Sequence, residues 1–265
     1  MNTFSNNIKN KIILLVSFAS LISASCSNVY TPALYHQDIV YQPKPASFDT
    51  VKAANYFSAG IGVNNTTNSG INGSNQLFSG QFNLSRGYVF NNFNLACGAF
   101  GFFGDYKNDV IKQGPNYFSD KFAGAVGGRA SADIFISSGN ADIRIIGLEA
   151  AYSHEYGSYA GFRQFINTNN FYYTDPRTNL FSMGLTSEVI FHNRYNNMEH
   201  GIRGFVGTTF GYNELNYRYL PTQETSGLNR PSKIFGNVSY FIKVKKYFAT
   251  FETGENIFLR VGLTF

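Results

Sequence analysis

From about residue 54 onward, apolar and polar residues alternate along most of the chain. Because side chains two residues apart share one face of a β-strand, this alternation predicts strands with one apolar face and one polar face. Within residues 121–137, for example, Ile134 and Ile136 have the parity opposite to that of Arg129 and Asp133. The pattern predicts ten strands, near residues 54–64, 76–90, 93–105, 121–137, 142–156, 180–193, 201–217, 233–245, 247–253 and 257–265.

The connections between these strands alternate in length. Those near residues 91–92, 138–140 and 194–199 are short, and those near 65–75, 106–120, 157–179 and 220–232 are long and rich in Asn, Gly, Ser and Thr. Short turns at one end and long loops at the other are typical of outer-membrane β-barrels. We therefore predict an all-β fold over residues 54–265: a closed antiparallel up-and-down transmembrane β-barrel of eight to ten strands, with ten favoured.

A soluble two-sheet sandwich or a lipocalin-like barrel also alternates in this way and is the alternative fold. Two features favour the membrane barrel. One face of the predicted strands carries Gly, Ser, Arg, Asp and Glu at strand centres, which would make a poor dry core. Aromatic residues such as Tyr88, Phe90 and Phe93 cluster near strand ends, where a membrane barrel has its interfacial girdles.

Composition narrows the classes of function. Charged residues make up 14% of the 265 residues, against roughly 25% in soluble globular domains. Two cysteines exclude a disulfide scaffold and a four-cysteine metal site. The formal net charge of +5 falls to +3 once Lys9 and Lys11 are removed with a targeting segment, and this excess is too small to predict nucleic-acid binding.

The first 25 residues have the pattern of a secretory signal peptide. Residues 1–11 carry two lysines and no acid, and residues 12–24 are apolar or small. The apolar stretch is shorter than the roughly 20 residues that a transmembrane helix needs. Residues 22–26, Ile-Ser-Ala-Ser-Cys, resemble a bacterial lipoprotein signal, which implies that Cys26 is acylated and begins the mature chain. The alternative is ordinary cleavage that leaves Cys26 as a free thiol.

Residues 26–53 follow this signal and hold three of the seven prolines without a sustained hydrophobic period. Such a segment is typical of an extended linker. We predict a lipid-anchored tether that connects the acylated Cys26 to the barrel.

The chain ends on an alternating apolar face of Leu259, Val261 and Leu263, with an aromatic terminus at Phe265. This ending resembles the C-terminal signal by which the β-barrel assembly machinery recognises bacterial outer-membrane barrels. With the signal peptide and the asymmetric loops, residues 54–265 resemble the small barrels of the outer-membrane protein A and X types. Together with an acylated amino terminus, they resemble the barrel lipoproteins of Bacteroidota. The resemblance implies a place in the outer membrane of a Gram-negative bacterium, contact with its lipids, and loops at the cell surface.

Barrels of this kind act as adhesins, structural anchors, small channels or lipid-modifying enzymes, so the fold does not fix the function. The constellation closest to a catalytic one is Ser153-His154-Glu155. Adjacent strand residues point to opposite faces, which separates His154 from the other two. Metal-ligand spacings, phosphate-binding loops and cysteine pairs are absent from the sequence. We predict no catalytic or metal site and no cofactor.

Charged residues occupy the inner parity of several predicted strands. If the turn at 138–140 pairs residues whose numbers sum to 278, Arg129 faces Glu149. A barrel of this size has an interior that long side chains can fill, and a buried charge without a partner is costly. We therefore predict a charge network that plugs the lumen, formed by Arg129, Asp133, Glu149, Glu188, Arg203 and Arg260. The alternative is a narrow pore lined by the same charges.

The long loop at 157–179 is the candidate partner-binding segment, because aromatic patches often mark binding surfaces. Its aromatic residues are Tyr159, Phe162, Phe165, Phe171, Tyr172 and Tyr173. The alternative is a loop that folds onto its own barrel mouth. The sequence thus predicts a non-catalytic barrel lipoprotein with a structural or interaction role, whose partner would be another outer-membrane or surface protein. A small channel is the second hypothesis and a lipid-modifying enzyme the third.

Overall fold

The computed structural model describes residues 30–49, 51–68, 73–108, 120–169, 174–193, 198–211 and 234–265. The strands are β1 (Ala53–Asn68), β2 (Gly73–Val89), β3 (Phe93–Asn108), β4 (Asp120–Ser138), β5 (Ala141–Tyr156), β6 (Asn179–Asn193), β7 (Met198–Thr209), β8 (Ile234–Val244), β9 (Tyr247–Thr253) and β10 (Ile257–Thr264); a helix, α1 (Ser158–Asn169), follows β5. Each strand pairs antiparallel with its neighbours in sequence, and β1 closes the ring by pairing with β10. The predicted fold and the favoured count of ten strands are confirmed.

The wall of this barrel is apolar on the outside and polar on the inside. On β4, Ile134 and Ile136 are exposed on the outer surface, whereas Arg129 and Asp133 are buried in the lumen. The same alternation holds on β10, where Leu259 and Val261 face outward and Arg260 faces inward. An apolar outer surface around a polar interior is the arrangement of barrels embedded in lipid.

The two ends of the barrel differ in their connections. At one end, here called the turn end, residues 90–92, 139–140 and 245–246 join successive strands. In the tight turn of the β4–β5 hairpin, Gly139 has a φ of 62°, a left-handed conformation that favours glycine. At the other end, here called the loop end, the connections are mostly longer and include α1.

A β-bulge on β5 changes the register predicted for the β4–β5 hairpin. Ile145 and Ile146 are both exposed on the outer surface, so β5 carries an extra residue at this point. Beyond the bulge, Ser131 pairs with Glu149. The prediction that Arg129 faces Glu149 is therefore wrong, because simple counting from the turn does not include the bulge.

Residues 30–49, here called the lumen segment, run through the interior of the barrel from one end to the other. At the loop end, Tyr30 forms a β-bridge with Thr174. At the turn end, a carboxylate oxygen of Asp49 lies 3.3 Å from the ammonium nitrogen of Lys243. Most of the residues between these ends are buried. The sequence predicts an extended tether between Cys26 and the barrel and does not indicate that it enters the lumen; a ten-stranded barrel leaves an interior that can hold an extended chain as well as side chains.

A disulfide between the lumen segment and the wall tests this placement. The Ser137 hydroxyl on β4 donates a hydrogen bond of 2.7 Å to the Ser47 hydroxyl, a separation compatible with a disulfide after both are changed to cysteine. In a Cys97→Ser background, we expect Ser47→Cys with Ser137→Cys to cross-link under mild oxidation, as peptide mapping would show. The matched control joins Ser47→Cys to Ser138→Cys, since Ser138 lies on the opposite face of the strand. Equal cross-linking of both pairs would contradict the placement.

The outward-facing residues predicted from parity lie on the outer wall. Leu259, Val261, Leu263 and Phe265 are exposed on or just after β10. Cys97 is also exposed, on β3. The role of this C-terminal face in assembly stays a prediction. Among the described helical residues, no stretch is long and apolar enough to cross a bilayer as a helix.

The filled lumen as the candidate functional site

The backbone of the lumen segment is held by acidic side chains of the wall. An extended chain that pairs with no strand must satisfy its N–H groups in another way. The N–H of Ala33 donates to Glu155 at 3.1 Å, and the N–H of Tyr41 donates to Glu252 at 2.9 Å. Near the turn end, Ser47 donates to Asp142 from its N–H at 2.6 Å and from its hydroxyl at 2.5 Å.

Arginines of the wall donate to the carbonyl oxygens of the same segment. Arg260 donates to the carbonyl of Tyr41 at 2.7 Å, and Arg144 donates to the carbonyl of Pro45 at 3.2 Å. Arg129 donates to the carbonyl of Asp38. Wall acids and wall arginines therefore take over the roles that a neighbouring strand has in a sheet.

Side chains of the lumen segment add ion pairs and a histidine–carboxylate contact along its length. Lys44 pairs with Asp133, and both side chains are almost completely buried. The Lys44 ammonium also donates to the hydroxyl of Ser131 at 3.0 Å. Nearer the loop end, the Nδ1 of His36 lies 2.8 Å from a carboxylate oxygen of Glu255. The segment is thus bound to the wall by side-chain ion pairs as well as by its backbone.

The wall also forms ion pairs within itself. Arg203 donates to Glu149 from Nε at 2.9 Å and to the amide oxygen of Asn237 at 2.7 Å. Arg260 pairs with Glu252 at 2.7 Å. Arg144 pairs with Glu188. These buried groups all have a partner of opposite charge, which is what makes buried charge tolerable.

All six residues of the predicted charge network lie buried in the lumen, but their partners differ from the predicted ones. Glu149 pairs with Arg203, and Asp133 pairs with Lys44. Arg129 lies over the ring of Phe100, with its guanidinium carbon 3.7 Å from the ring centroid. This contact is a cation–π interaction.

Three members of the network were missed by sequence reasoning. Arg144 has the parity opposite to that of Glu149, so strict alternation placed it outside, and the bulge turns it inward. Glu252 lies on short β9, and Lys44 lies in the expected tether. A signal that could have indicated a cation such as Lys44 in the lumen was the charge balance of the inner face. Buried wall acids outnumber buried wall arginines, with Asp133, Asp142, Glu149, Glu155, Glu188, Glu199 and Glu252 against Arg129, Arg144, Arg203 and Arg260.

Little space remains between the lumen segment and the wall at two places, whereas an opening of about 290 Å³ at the turn end is lined by Pro45 and Asp49 of the segment and by Lys243 of the wall. A cavity of about 40 Å³ lies beside His36 and Gln81. A second, of about 10 Å³, lies beside Tyr41, Asn83 and Arg129. Volumes of this size hold a few water molecules at most.

Helix α1 lies over the mouth of the barrel at the loop end. Its Tyr159 is fully buried, stacks on Tyr106 with ring centroids 4.1 Å apart, and donates from its hydroxyl to the carbonyl of Thr31 at 2.9 Å. Burial raises the pKa of Tyr159 well above its ordinary value, which keeps the phenol protonated as a donor. Arg163, also fully buried, pairs with Glu155 at 2.9 Å. The helix therefore closes over the lumen segment.

This packing corrects part of the candidate partner-binding segment. Tyr159 faces the barrel and is inaccessible to a partner, and Phe162 packs edge-on against Tyr30 at 5.6 Å between ring centroids. Phe165 is 54% exposed. The alternative of a loop folded onto its own barrel mouth describes α1 well, because its apolar side covers the lumen segment.

Several predicted features lie outside the described residues. They are the signal peptide of residues 1–25, the acylation site Cys26, and the loop aromatics Phe171, Tyr172 and Tyr173.

The Ser-His-Glu sequence on β5 is split between the two faces of the wall. Ser153 and Glu155 are buried on the inner side, whereas His154 is exposed outside and lies 2.8 Å from the amide oxygen of Asn179. This geometry does not bring a base to the serine. In the described part of the chain, no group of three or more His, Cys, Asp and Glu side chains could hold a metal ion.

No protein-family model matches the chain, and no curated protein matches it. Solved structures similar to it include an outer membrane channel from Pseudomonas putida F1, at 8% identity and a TM-score of 0.36, covering 84% of this chain and 100% of the other. The transport unit of the autotransporter AIDA-I from Escherichia coli has 8% identity and a TM-score of 0.40, covering 88% and 95%. The translocator domain of the autotransporter NalP from Neisseria meningitidis has 8% identity and a TM-score of 0.33, covering 83% and 90%. Likeness at this level carries no information about function.

Proposed function

We propose that this protein is a non-conducting, non-catalytic outer-membrane β-barrel lipoprotein that acts as an anchor. It holds its own amino-terminal segment through the lumen and presents the preceding residues, together with the long loops, at the cell surface. The observation that carries this proposal is the direction of the lumen segment, which has Tyr30 at the loop end and Asp49 at the turn end.

Placement in the outer membrane is supported by the two faces of the wall. Large apolar side chains such as Val126, Leu185 and Ile202 are exposed on the outside of strands that carry buried charges on the inside. Water would favour the reverse arrangement, whereas a bilayer requires an apolar outer band and a closed ring of strands without unpaired edges.

The direction of the lumen segment also supports a proposed orientation and a proposed anchoring point. Outer-membrane barrels have short periplasmic turns and longer extracellular loops, so the loop end would face the exterior. Tyr30 follows Cys26 by four residue steps, a reach of about 14 Å at most for an extended chain. An acyl group on Cys26 would therefore enter the outer leaflet close to the barrel mouth rather than the periplasmic leaflet.

An epitope test addresses orientation directly. We expect an epitope inserted between Asn28 and Val29 to be labelled by antibody on intact cells, because Tyr30, which follows it directly, lies at the loop end. The matched control carries the same epitope between Gly139 and Asn140 in the turn of the β4–β5 hairpin. The control should be labelled only after the outer membrane is permeabilised.

Mass spectrometry of the mature amino-terminal peptide from the same cells should show an acylated Cys26. An amino-terminal epitope that needs permeabilisation, while the turn epitope is labelled on intact cells, would contradict the proposed orientation. An unmodified Cys26 would remove lipid anchoring and leave a barrel that presents a free amino terminus.

A gated channel is the second candidate function. The observation that favours it is the polar character of the contacts between the lumen segment and the wall, such as Lys44 with Asp133 and Ser47 with Asp142. If the segment moves, water molecules can replace these polar contacts one by one. Steady conductance of the full-length protein in planar bilayers would support a channel and exclude the filled anchor.

A further inference from the structure

The outer wall carries an apolar groove near the turn end, on the side formed by β8, β9, β10 and β1. Its volume is about 490 Å³. Ala249 and Ala59 lie level with each other on either side of Val261. On the neighbouring level, Tyr247 and Phe57 project further from the wall. Two small side chains beside larger ones thus leave a depression in the lipid-facing surface.

Two lysines lie beside this groove, in the adjoining turn. They line, together with Asp49 and Phe265, the neighbouring opening of about 290 Å³ at the turn end. The turn between β8 and β9 consists of Lys245 and Lys246, which directly precede Tyr247, a residue that lines the groove. Both lysines are exposed, and the ammonium nitrogen of Lys246 lies 5.5 Å from the centroid of the Tyr247 ring. An aromatic ring with a cation beside it at the edge of an apolar surface is typical of the membrane interface.

The nearby acids do not neutralise these lysines. Asp49 and Glu199 both pair with Lys243, which faces the lumen segment. Among the described residues, no carboxylate lies within salt-bridge distance of the Lys245 or Lys246 ammonium. The turn beside the groove therefore presents two positive charges that form no salt bridge with the described residues.

We propose that this groove with Lys245 and Lys246 is a binding site for one anionic phospholipid of the periplasmic leaflet. An acyl chain lies over Ala249 and Ala59, and the phosphate is held by the two ammonium groups. The inference rests on the proposed function in one respect, since the turn end must face the periplasm. Charge complementarity selects an anionic headgroup over a zwitterionic one, and the groove selects an intact lipid over a free phosphate.

The test uses the full mature chain in detergent micelles and native mass spectrometry with dioleoylphosphatidylglycerol and dioleoylphosphatidylcholine, which share their acyl chains. We expect the wild-type protein to retain phosphatidylglycerol in excess. Each Lys→Gln change at Lys245 and Lys246 should reduce this excess by about fivefold, since a lysine near an anionic lipid contributes about 1 kcal/mol.

Filling the groove gives a second, independent readout. Ala249→Leu should reduce retention of both lipids, whereas Ala130→Leu, which adds the same volume to the outer face of β4, should leave retention unchanged. Equal retention of the two lipids by wild type, or an excess unaffected by the lysine changes, would mean general contact with surrounding lipid and would overturn the site. Binding of glycerol 3-phosphate as tight as that of the lipid would also overturn it.

The heat-dependent gel shift of a closed barrel serves as the folding control for every variant. If all variants keep this shift and the wild-type protein retains the two lipids equally, the proposed lipid site is wrong, but the proposed anchor function is not affected. If the epitope experiment reverses the orientation, the anchor fails, although lipid retention in micelles is still measurable.

Discussion

Replacing Arg203 by alanine is expected to lower the free energy of unfolding by about 3–5 kcal/mol, the range found when one partner of a buried ion pair is removed. Arg203 is fully buried and donates to Glu149 from two guanidinium nitrogens and to Asn237 from a third. Without the guanidinium, Glu149 keeps a buried charge with no ion-pair partner. Urea unfolding in lipid vesicles, followed by the heat-dependent gel shift, measures the loss.

The control for this prediction is Ile202→Ala, a truncation of the lipid-facing neighbour on the same strand. A double variant, Arg203→Met with Glu149→Leu, should recover much of the stability because it removes both charges and leaves neither unpaired. An Arg203→Ala protein as stable as Ile202→Ala, or a double variant less stable than Arg203→Ala, would show that the ion pair does not stabilise the barrel.

Much of the wall could be predicted from the sequence because the face of each residue depends only on its position within its own strand. Each strand must alternate between lipid and lumen, so parity identifies residues such as Arg129 and Ile134 without knowledge of their neighbours. Strand ends were less accurate. The strand predicted at 201–217 begins at Met198 and ends at Thr209, where Phe210 and Gly211 form a turn with Gly211 at a φ of 83°; residues 212–217 lie outside the described residues.

Pairing within the lumen could not be predicted, for two physical reasons. A single bulge at Ile145 and Ile146 shifts every residue beyond it, so Arg129 and Glu149 no longer face each other. Partners such as Arg203 and Glu149 lie on strands that are not adjacent, and strand register alone does not bring them together.

The position of the lumen segment inside the barrel could not be predicted because the wall surrounds the segment on all sides. A chain that crosses a filled lumen contacts the wall around its whole circumference, so it needs no hydrophobic period and its pattern is that of a linker. Its composition still carried information. Leu34, Tyr35, Ile39, Val40 and Tyr41 are more apolar than a solvated tether requires, and each is buried.

Deleting residues 30–49 is the change with the largest expected effect on function. The wall left behind is polar inside, and its acids and arginines would be hydrated once Lys44 and the segment backbone are gone. We expect steady single-channel conductance from the deleted protein, because water and ions would occupy the volume that the segment fills.

A second variant keeps this prediction testable if the deletion variant does not fold. Residues 31–48 are replaced by a Gly-Ser linker of the same length, which keeps the connection through the lumen but removes the side chains that pair with the wall. Both variants must retain the heat-dependent gel shift of a closed barrel before conductance is compared.

The most direct measurement is planar-bilayer conductance of the full-length protein beside these two variants, under the same salt and voltage. A lumen filled by residues 30–49 predicts a silent bilayer for the full-length protein and steady conductance for both variants. Steady conductance of the full-length protein, or silence from closed barrels that lack the segment, would contradict it.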